Sequence, residues 1–278
     1  MKQVTMGKTA VLVAALVVAS AVFGQVSGRV YREWEVVFSP GPELLDLAIW
    51  VLGTILLVAT VAGLFVALVR PFRVIILGLA LSGVAMVLMM GMGILSPALG
   101  LVYVILGIGY ARSVVGELNE RLHFSVRPLR EEQGTLILAL VLLISASFAL
   151  GYREDAMSGD FIVPPAYKKA VMEMIVPHLL FGIESQIGPG AGERATRQEE
   201  VKREMEGFWA EIEKMLQPYA EFVPVVLGLL ALGAVKFVLG FLLWLPPLVL
   251  SVIFPLLKAA GVTQVVTETR EMERLTLG

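Results

Sequence analysis

The sequence predicts an all-α membrane protein, a bundle of six transmembrane helices (or seven) with a helical hairpin on its extracytoplasmic side. Hydrophobic residues make up 57% of the 278-residue chain, charged residues only 17%, and the mean hydropathy is +0.82. An average soluble protein carries roughly 25% charged residues. Several apolar runs reach the roughly 18 residues that predict a membrane span. A long polar segment with helical periodicity separates the last two of these runs.

These patterns divide the chain into four parts. Residues 1–152 hold spans one to five with their cytoplasmic loops, and residues 153–221 form the extracytoplasmic hairpin. Residues 222–260 hold span six and a second helix that prolines interrupt. Residues 261–278 form a polar tail, which we expect in the cytoplasm.

The first apolar run begins at Thr9, after Lys2 and Lys8, and extends over about 19 residues, enough for one crossing. It also contains Ala19-Ser20-Ala21, a small-x-small pattern typical of signal-peptide cleavage sites. We expect an uncleaved span, and cleavage near Ala21 is the alternative. In both cases the chain that follows, a short loop over residues 28–43, lies outside.

Short basic loops fix the orientation of the remaining spans, because such loops stay on the cytoplasmic side of a membrane. Arg70 and Arg73 lie in the turn between spans two and three, and four arginines lie in the loop 111–134. This distribution predicts a multi-pass protein of the cell membrane with a cytoplasmic amino terminus. The further spans are predicted at about 44–69, 74–95, 98–110 (or to 115), 135–152 and from 222 onward, with a tight outer turn at Ser96-Pro97.

The carboxy-terminal apolar run is too long for a single crossing. As one helix, residues 223–257 would extend about 52 Å, against a hydrocarbon core of about 30 Å. Pro246 and Pro247 predict a break, and Trp244 just before them is suited to a membrane interface. We expect the remaining short piece to be an interfacial or re-entrant helix. A seventh crossing, which would put the tail outside, is the alternative.

Lys236 lies within span six and has two interpretations. Its long stem could carry the ammonium group to the inner head groups. Alternatively, it is an intramembrane polar site in a transport path, since ionisable groups inside membranes are often functional. Such a charge needs a partner, yet no Asp or Glu falls within any predicted span, and Asp46 lies only at the edge of span two. The sequence therefore favours the first interpretation.

The polar segment 153–221 predicts an antiparallel helical hairpin. Its second helix opens at Thr196, with Glu199 three residues later, as in a capping box. Apolar residues then follow at spacings of 4-3-4-3-4, the pattern of a helical packing seam. The seam consists of Val201, Met205, Phe208, Ile212, Met215 and Tyr219.

Two uses of this seam remain open. It could pack the hairpin's own two helices, with Phe208 in the contact and Trp209 at its margin. Alternatively, Phe208, Trp209 and Ile212 bind a protein partner or a second copy of the chain. The segment has 13 acidic and 8 basic residues, a net charge of −5, which gives no sign of binding to anionic lipid.

The sequence contains no pattern that predicts catalysis. It lacks nucleotide-binding loops, nucleophile elbows and HExxH motifs, and it has no cysteine. His123 and His178 are predicted on opposite sides of the membrane, so they cannot share a metal. Four methionines within residues 86–92 could bind Cu(I), but packing is the simpler role for them. We expect no catalytic, cofactor or metal site, and the net charge of −2 indicates no nucleic-acid binding.

Small residues at intervals of four on spans two and three, among them Gly63 and Gly78, predict closely packed helices. The absence of catalytic motifs and the regular seam of the hairpin favour a non-enzymatic scaffold or assembly subunit that presents the hairpin to a partner, with membrane lipid around the bundle. A small-solute transporter or channel is the alternative, and the proline-broken carboxy end and Lys236 favour it.

Overall fold

The protein is an all-α membrane bundle, as the sequence predicts. The computed structural model describes residues 2–69, 71–93, 95–120, 127–159, 161–187 and 194–262. The predicted positions of Arg70, His123 and the tail from residue 263 lie outside these described residues. Within them the α-helices are α1 (Lys2–Arg32), α2 (Pro42–Leu68), α3 (Phe72–Met90), α4 (Leu95–Glu120), α5 (Arg127–Gly159), α6 (Pro165–Ile187), α7 (Arg194–Leu216), α8 (Val223–Leu242) and α9 (Leu245–Ala259).

Six of the described helices are long and apolar enough to span a membrane, namely α1 to α5 and α8. They alternate in direction, so α1, α3 and α5 run one way and α2, α4 and α8 the other. We call the side that holds Lys8 the amino-terminal side. The opposite side holds the α6–α7 hairpin and is called the hairpin side. Trp34, after α1, donates a hydrogen bond to Asp155, near the end of α5, which places both helix ends on the hairpin side.

Glycines let α1 approach its neighbours at backbone distance. A Cβ atom on Gly24 or Gly28 would meet the carbonyl oxygen of Met86 or Met90 on α3, well inside the 3.0 Å limit of real Cβ contacts. Gly151 on α5 has the same relation to the carbonyl of Tyr31. Close backbone contacts of this kind replace the hydrophobic effect as a source of helix association in lipid.

The small residues near Ala21 are part of this packing. Ala19 and Ser20 are buried in the middle of the continuous helix α1. Ser20 Oγ lies 3.5 Å from the Tyr103 hydroxyl of α4, and Ser82 Oγ of α3 lies 3.2 Å from the same hydroxyl. Three helices therefore meet at one buried polar cluster, and whether the chain is cleaved near Ala21 stays an open prediction.

Several predicted boundaries were wrong, because hydropathy does not locate the end of a helix. The residues from 28 to 32, predicted as loop, belong to α1, and a short 3₁₀ helix (Trp34–Phe38) follows. The turn between α3 and α4 lies at Gly91–Gly93, not at Ser96-Pro97. Gly91 and Gly93 have φ angles of 68° and 59°, the left-handed region that favours glycine. Ser96 instead accepts a hydrogen bond from the Met92 backbone N–H in the first turn of α4.

The predicted break before the two prolines is confirmed, since α8 ends at Leu242 and α9 begins at Leu245. Both ends of α9 lie on the amino-terminal side. Trp244 at its start lies beside Arg130 near the start of α5, and Val262 after its end accepts a hydrogen bond of 2.9 Å from Lys8 Nζ. With 15 residues, α9 is about 22 Å long, short of the roughly 30 Å core. This geometry supports the interfacial or re-entrant helix and does not support a seventh crossing.

Candidate functional site

The hairpin is held to the bundle by a charged clamp at the base of α7. Residues 161–164 join α5 to α6, and Glu213 of α7 lies against them. Its Oε1 accepts hydrogen bonds from the backbone N–H groups of Ile162 and Val163, at 3.3 and 3.2 Å, and from Lys168 Nζ at 2.7 Å. One carboxylate therefore ties α7 to the linker and to the first turn of α6.

These contacts change the ionisation of Glu213. Desolvation by itself would raise the pKa of this carboxyl group. The hydrogen bonds from Lys168, Val163 and Ile162 outweigh desolvation and lower the pKa below its ordinary value. The charged form is therefore the one that the clamp stabilises.

An aromatic network continues from the clamp into the bundle. The Trp34 ring lies 5.3 Å from Tyr152 of α5 and 6.1 Å from Phe38. Phe38 is 5.8 Å from Tyr167 of α6, and Tyr167 is 6.0 Å from Trp209 of α7. All four pairs are edge-to-face, a favoured geometry for aromatic rings. The network connects the hairpin to α1 and α5 through the 3₁₀ helix.

The predicted seam of α7 does not face α6 in the register expected. Trp209, predicted at the margin, is only 8% exposed and is the buried anchor of the helix. Phe208, predicted in the hairpin contact, is 53% exposed. Ile212 is partly buried between these two faces. The hairpin therefore packs through a face of α7 that is rotated from the predicted seam toward Trp209. This face still includes Val201, Met205 and Ile212 of the seam, which are partly buried.

This register leaves an apolar surface on the outside of the hairpin. Phe208 is joined along the same face by Met215, 70% exposed, and Tyr219, 61% exposed. We call Phe208, Met215 and Tyr219 the outer stripe. The sequence suggested partner binding by Phe208, Trp209 and Ile212. Binding of a partner by the outer stripe stays a prediction.

A cavity of about 940 Å³ lies under the hairpin. Its walls come from the last turns of α5, the linker 161–164, the end of α7 and the start of α8. Apolar and charged side chains both line it, among them Leu150, Arg153, Phe161, Lys214, Glu221 and Pro224. This cavity could not be predicted from the sequence, because its lining residues come from four separate segments.

Lys236 lies on the exposed surface of α8, eight residues before Trp244. Among the described helices, α5 is the only one that forms a substantial interface with α8. Among the described residues no ion pair is formed by Lys236. Asp46, the acidic residue at the edge of span two, pairs with Arg29 at 2.7 Å instead. The structure thus places Lys236 on an exposed side of the bundle, apart from the hairpin.

No group of three or more potential metal ligands occurs among the residues that the structure describes. His178 Nδ1 lies 2.7 Å from the carbonyl oxygen of Met174, one turn earlier on α6. Of the four methionines of α3 and its end, Met86, Met90 and Met92 are buried in the hydrophobic core. These positions fit the packing role that the sequence favoured for them.

Comparison with known proteins found no match for this chain among protein-family models, curated proteins or solved structures.

Proposed function

We propose that this protein is a non-enzymatic membrane scaffold that presents the outer stripe of α7 to a partner protein. The observation that carries the proposal is the contrast between neighbours on one helix. Trp209 is 8% exposed and anchors the hairpin, whereas Phe208, one residue away, is 53% exposed. A firmly docked helix with a free apolar face has the form of a presented binding surface.

The surroundings of the stripe indicate what kind of partner fits. Beyond Tyr219 the exposed apolar surface continues through Phe222 and Val226 onto α8. Only 11% of the apolar window of α8 is buried inside the chain. A partner with its own membrane-spanning helix could follow this surface from α8 to α7. The net charge of −5 on residues 153–221 disfavours the alternative that the stripe lies on an anionic membrane surface.

Transport of a small solute is the second candidate function. The cavity of about 940 Å³ beside α5 and α8 favours it, together with the broken helix pair α8–α9. Lys236 is not among the residues that line this cavity, and it has no acidic partner among the described residues. Release or uptake of solutes by the purified protein in liposomes separates transport from scaffolding, and Lys236→Gln tests the residue itself.

Site-specific photo-crosslinking in native membranes tests the scaffold. A photoreactive residue replaces Met215 on the outer stripe, and a matched control replaces Lys169 on α6, which is also exposed. We expect one discrete protein adduct from position 215 and none from position 169. A second substitution, Phe208→Ser, should weaken that adduct because it removes apolar contact from the same stripe.

The composition of the adduct shows which molecule lies on the outer stripe: a partner protein, a second copy of the chain or lipid. The proposal is supported if mass spectrometry of the adduct identifies a different protein that contains a membrane-spanning segment. An adduct of two identical chains would replace the proposed partner by a second copy. Crosslinks to lipid, or equal adducts from positions 215 and 169, would contradict the proposal.

A further inference from the structure

A second cleft lies on the amino-terminal side, far from the hairpin. It has a volume of about 390 Å³ and separates the first turns of α5 from the end of α8. Its lining residues are Arg130, Glu131, Gln133, Gly134, Gly240, Leu243 and Trp244. Neither the scaffold nor the transport function makes use of it.

Gln133 is the unusual residue of this cleft. Its side chain is 2% exposed, yet neither Nε2 nor Oε1 has a hydrogen-bond partner within the described part of the chain. A buried amide without partners carries an unfavourable desolvation free energy. It offers two donor hydrogens and one acceptor oxygen to a molecule that enters the cleft.

The position of the cleft across the membrane indicates which part of the bilayer surrounds such a molecule. Trp244 lies at the junction of α8 and α9, and Arg130 lies in the first turn of α5, so the cleft is at the end of two helices. In a helix of membrane-spanning length, the ends reach the head-group region. A half-exposed tryptophan is also typical of this interface. The molecules that occupy this layer of a membrane are phospholipid head groups.

The charges of the cleft select the phosphate as the recognised group. Arg130 is exposed, and a guanidinium group binds phosphate through paired hydrogen bonds. Glu131 also lines the cleft, and its side chain interacts with another group of the chain. Lys236 lies four residues before Gly240, so it is one turn deeper on the same face of α8. Its stem is long enough to bring a second cation toward the edge of the cleft.

We propose that this cleft binds the phosphate group of a membrane phospholipid from the leaflet on the amino-terminal side. Arg130 binds the phosphate oxygens, and Gln133 Nε2 donates a further hydrogen bond to them. Gln133 Oε1 accepts a hydrogen bond from a hydroxyl group of the head group. The acyl chains lie along the exposed apolar surface of α8. This site also gives Lys236, which forms no ion pair among the residues that the structure describes, a role near an anionic group.

Native mass spectrometry of the full-length protein in mild detergent tests the site. The probes are dioleoyl phosphatidylglycerol, dioleoylglycerol (which has the same acyl chains and no phosphate) and inorganic phosphate. We expect wild-type protein to retain one phosphatidylglycerol molecule, and Gln133→Leu and Arg130→Gln to bind it at least about tenfold more weakly. Arg112→Gln, a change to an exposed arginine of α4 outside the cleft, is the matched control and should bind like wild type.

Thermal unfolding without lipid gives an independent readout. Gln133→Leu should unfold at the same temperature as wild type or higher, because it removes a buried amide that has no hydrogen-bond partner among the described residues. Added phosphatidylglycerol should raise the unfolding temperature of wild type and not that of Gln133→Leu. If Gln133→Leu does not fold, Arg130→Gln and Lys236→Gln carry the binding test, and both are exposed positions.

Three results would overturn the proposal. The first is equal retention of phosphatidylglycerol by wild type, Gln133→Leu and Arg130→Gln. The second is binding of dioleoylglycerol as tight as that of phosphatidylglycerol, which would show that the phosphate is not recognised. The third is displacement of the lipid by inorganic phosphate at the same concentration, which would make the cleft a site for a soluble anion.

Discussion

Replacing Trp209 by alanine should detach the hairpin from the bundle, whereas the same change at Phe208 should not. Trp209 is only 8% exposed, and the centroid of its ring lies 6.0 Å from that of Tyr167. Truncating a buried tryptophan to alanine costs about 3–5 kcal/mol. Phe208 is 53% exposed. Because full burial of such a side chain stabilises by about 1.5–3 kcal/mol, its truncation should cost only about 1 kcal/mol.

Hydrogen exchange of α6 and α7 in the full-length protein measures this difference. A tenfold change in exchange protection corresponds to about 1.4 kcal/mol of local opening free energy. Trp209→Ala should therefore reduce protection at least about 100-fold, and Phe208→Ala less than about tenfold. Protection in α2 and α3, away from the hairpin, should not change in either variant.

Met215→Ala is the matched control, since Met215 is 70% exposed and lies on the outer stripe with Phe208. It should leave protection of the hairpin unchanged. If Phe208→Ala loosens α7 as much as Trp209→Ala does, the hairpin packs in the register of the predicted seam, and the assignment of the outer stripe fails.

Three further outcomes are expected. Gly24→Ala should lower the thermal stability of the bundle in detergent, because a Cβ there meets a backbone carbonyl of α3, whereas Gly7→Ala, with nothing within 4 Å of the added atom, should not. The stabilising contribution of Glu213 to hairpin docking should be complete above the ordinary glutamate pKa of 4.5 and be lost as the pH falls through the lowered pKa of Glu213. Hydrogen exchange of Glu213→Gln should lack this acid dependence. Single cysteines at Ser158 and Ala260 should react with an impermeant thiol reagent from opposite sides of the membrane, Ser158 from outside the cell; labelling of both from one side would show that α9 crosses.

The spans were predictable because each depends on composition over a long stretch, and the proline break was predictable because two adjacent prolines are enough to end a helix. A run of apolar residues predicts a membrane helix wherever it packs. Pro246 and Pro247 end α8 because proline lacks the backbone donor that a continuing helix needs. The register of α7 depends instead on what lies beside it. The 4-3 spacing through Phe208 and Ile212 shows that an apolar face exists, but it cannot show which face the hairpin uses.

The contacts that position the candidate sites were not predictable for a related reason. Trp34 and Asp155 lie 121 positions apart, and Lys168 and Glu213 lie 45 apart, so no local pattern joins them. The glycine contacts of α1 were not predicted either, since the regular spacing of small residues indicated close packing only for spans two and three. Only the fold brings Gly24 against α3, because the match depends on the shape of both helices.

The position of α9 affects the membrane as well as the chain. Both of its ends lie on the amino-terminal side, so the helix takes up room in one leaflet only. A helix about 22 Å long and about 10 Å across covers about 220 Å². Among the described helices, the six spans occupy both leaflets and α9 adds its area to one of them. If α9 lies in the plane of the membrane, its area broadens the bundle in that leaflet, and several copies in one patch would favour a bilayer that curves toward the hairpin side.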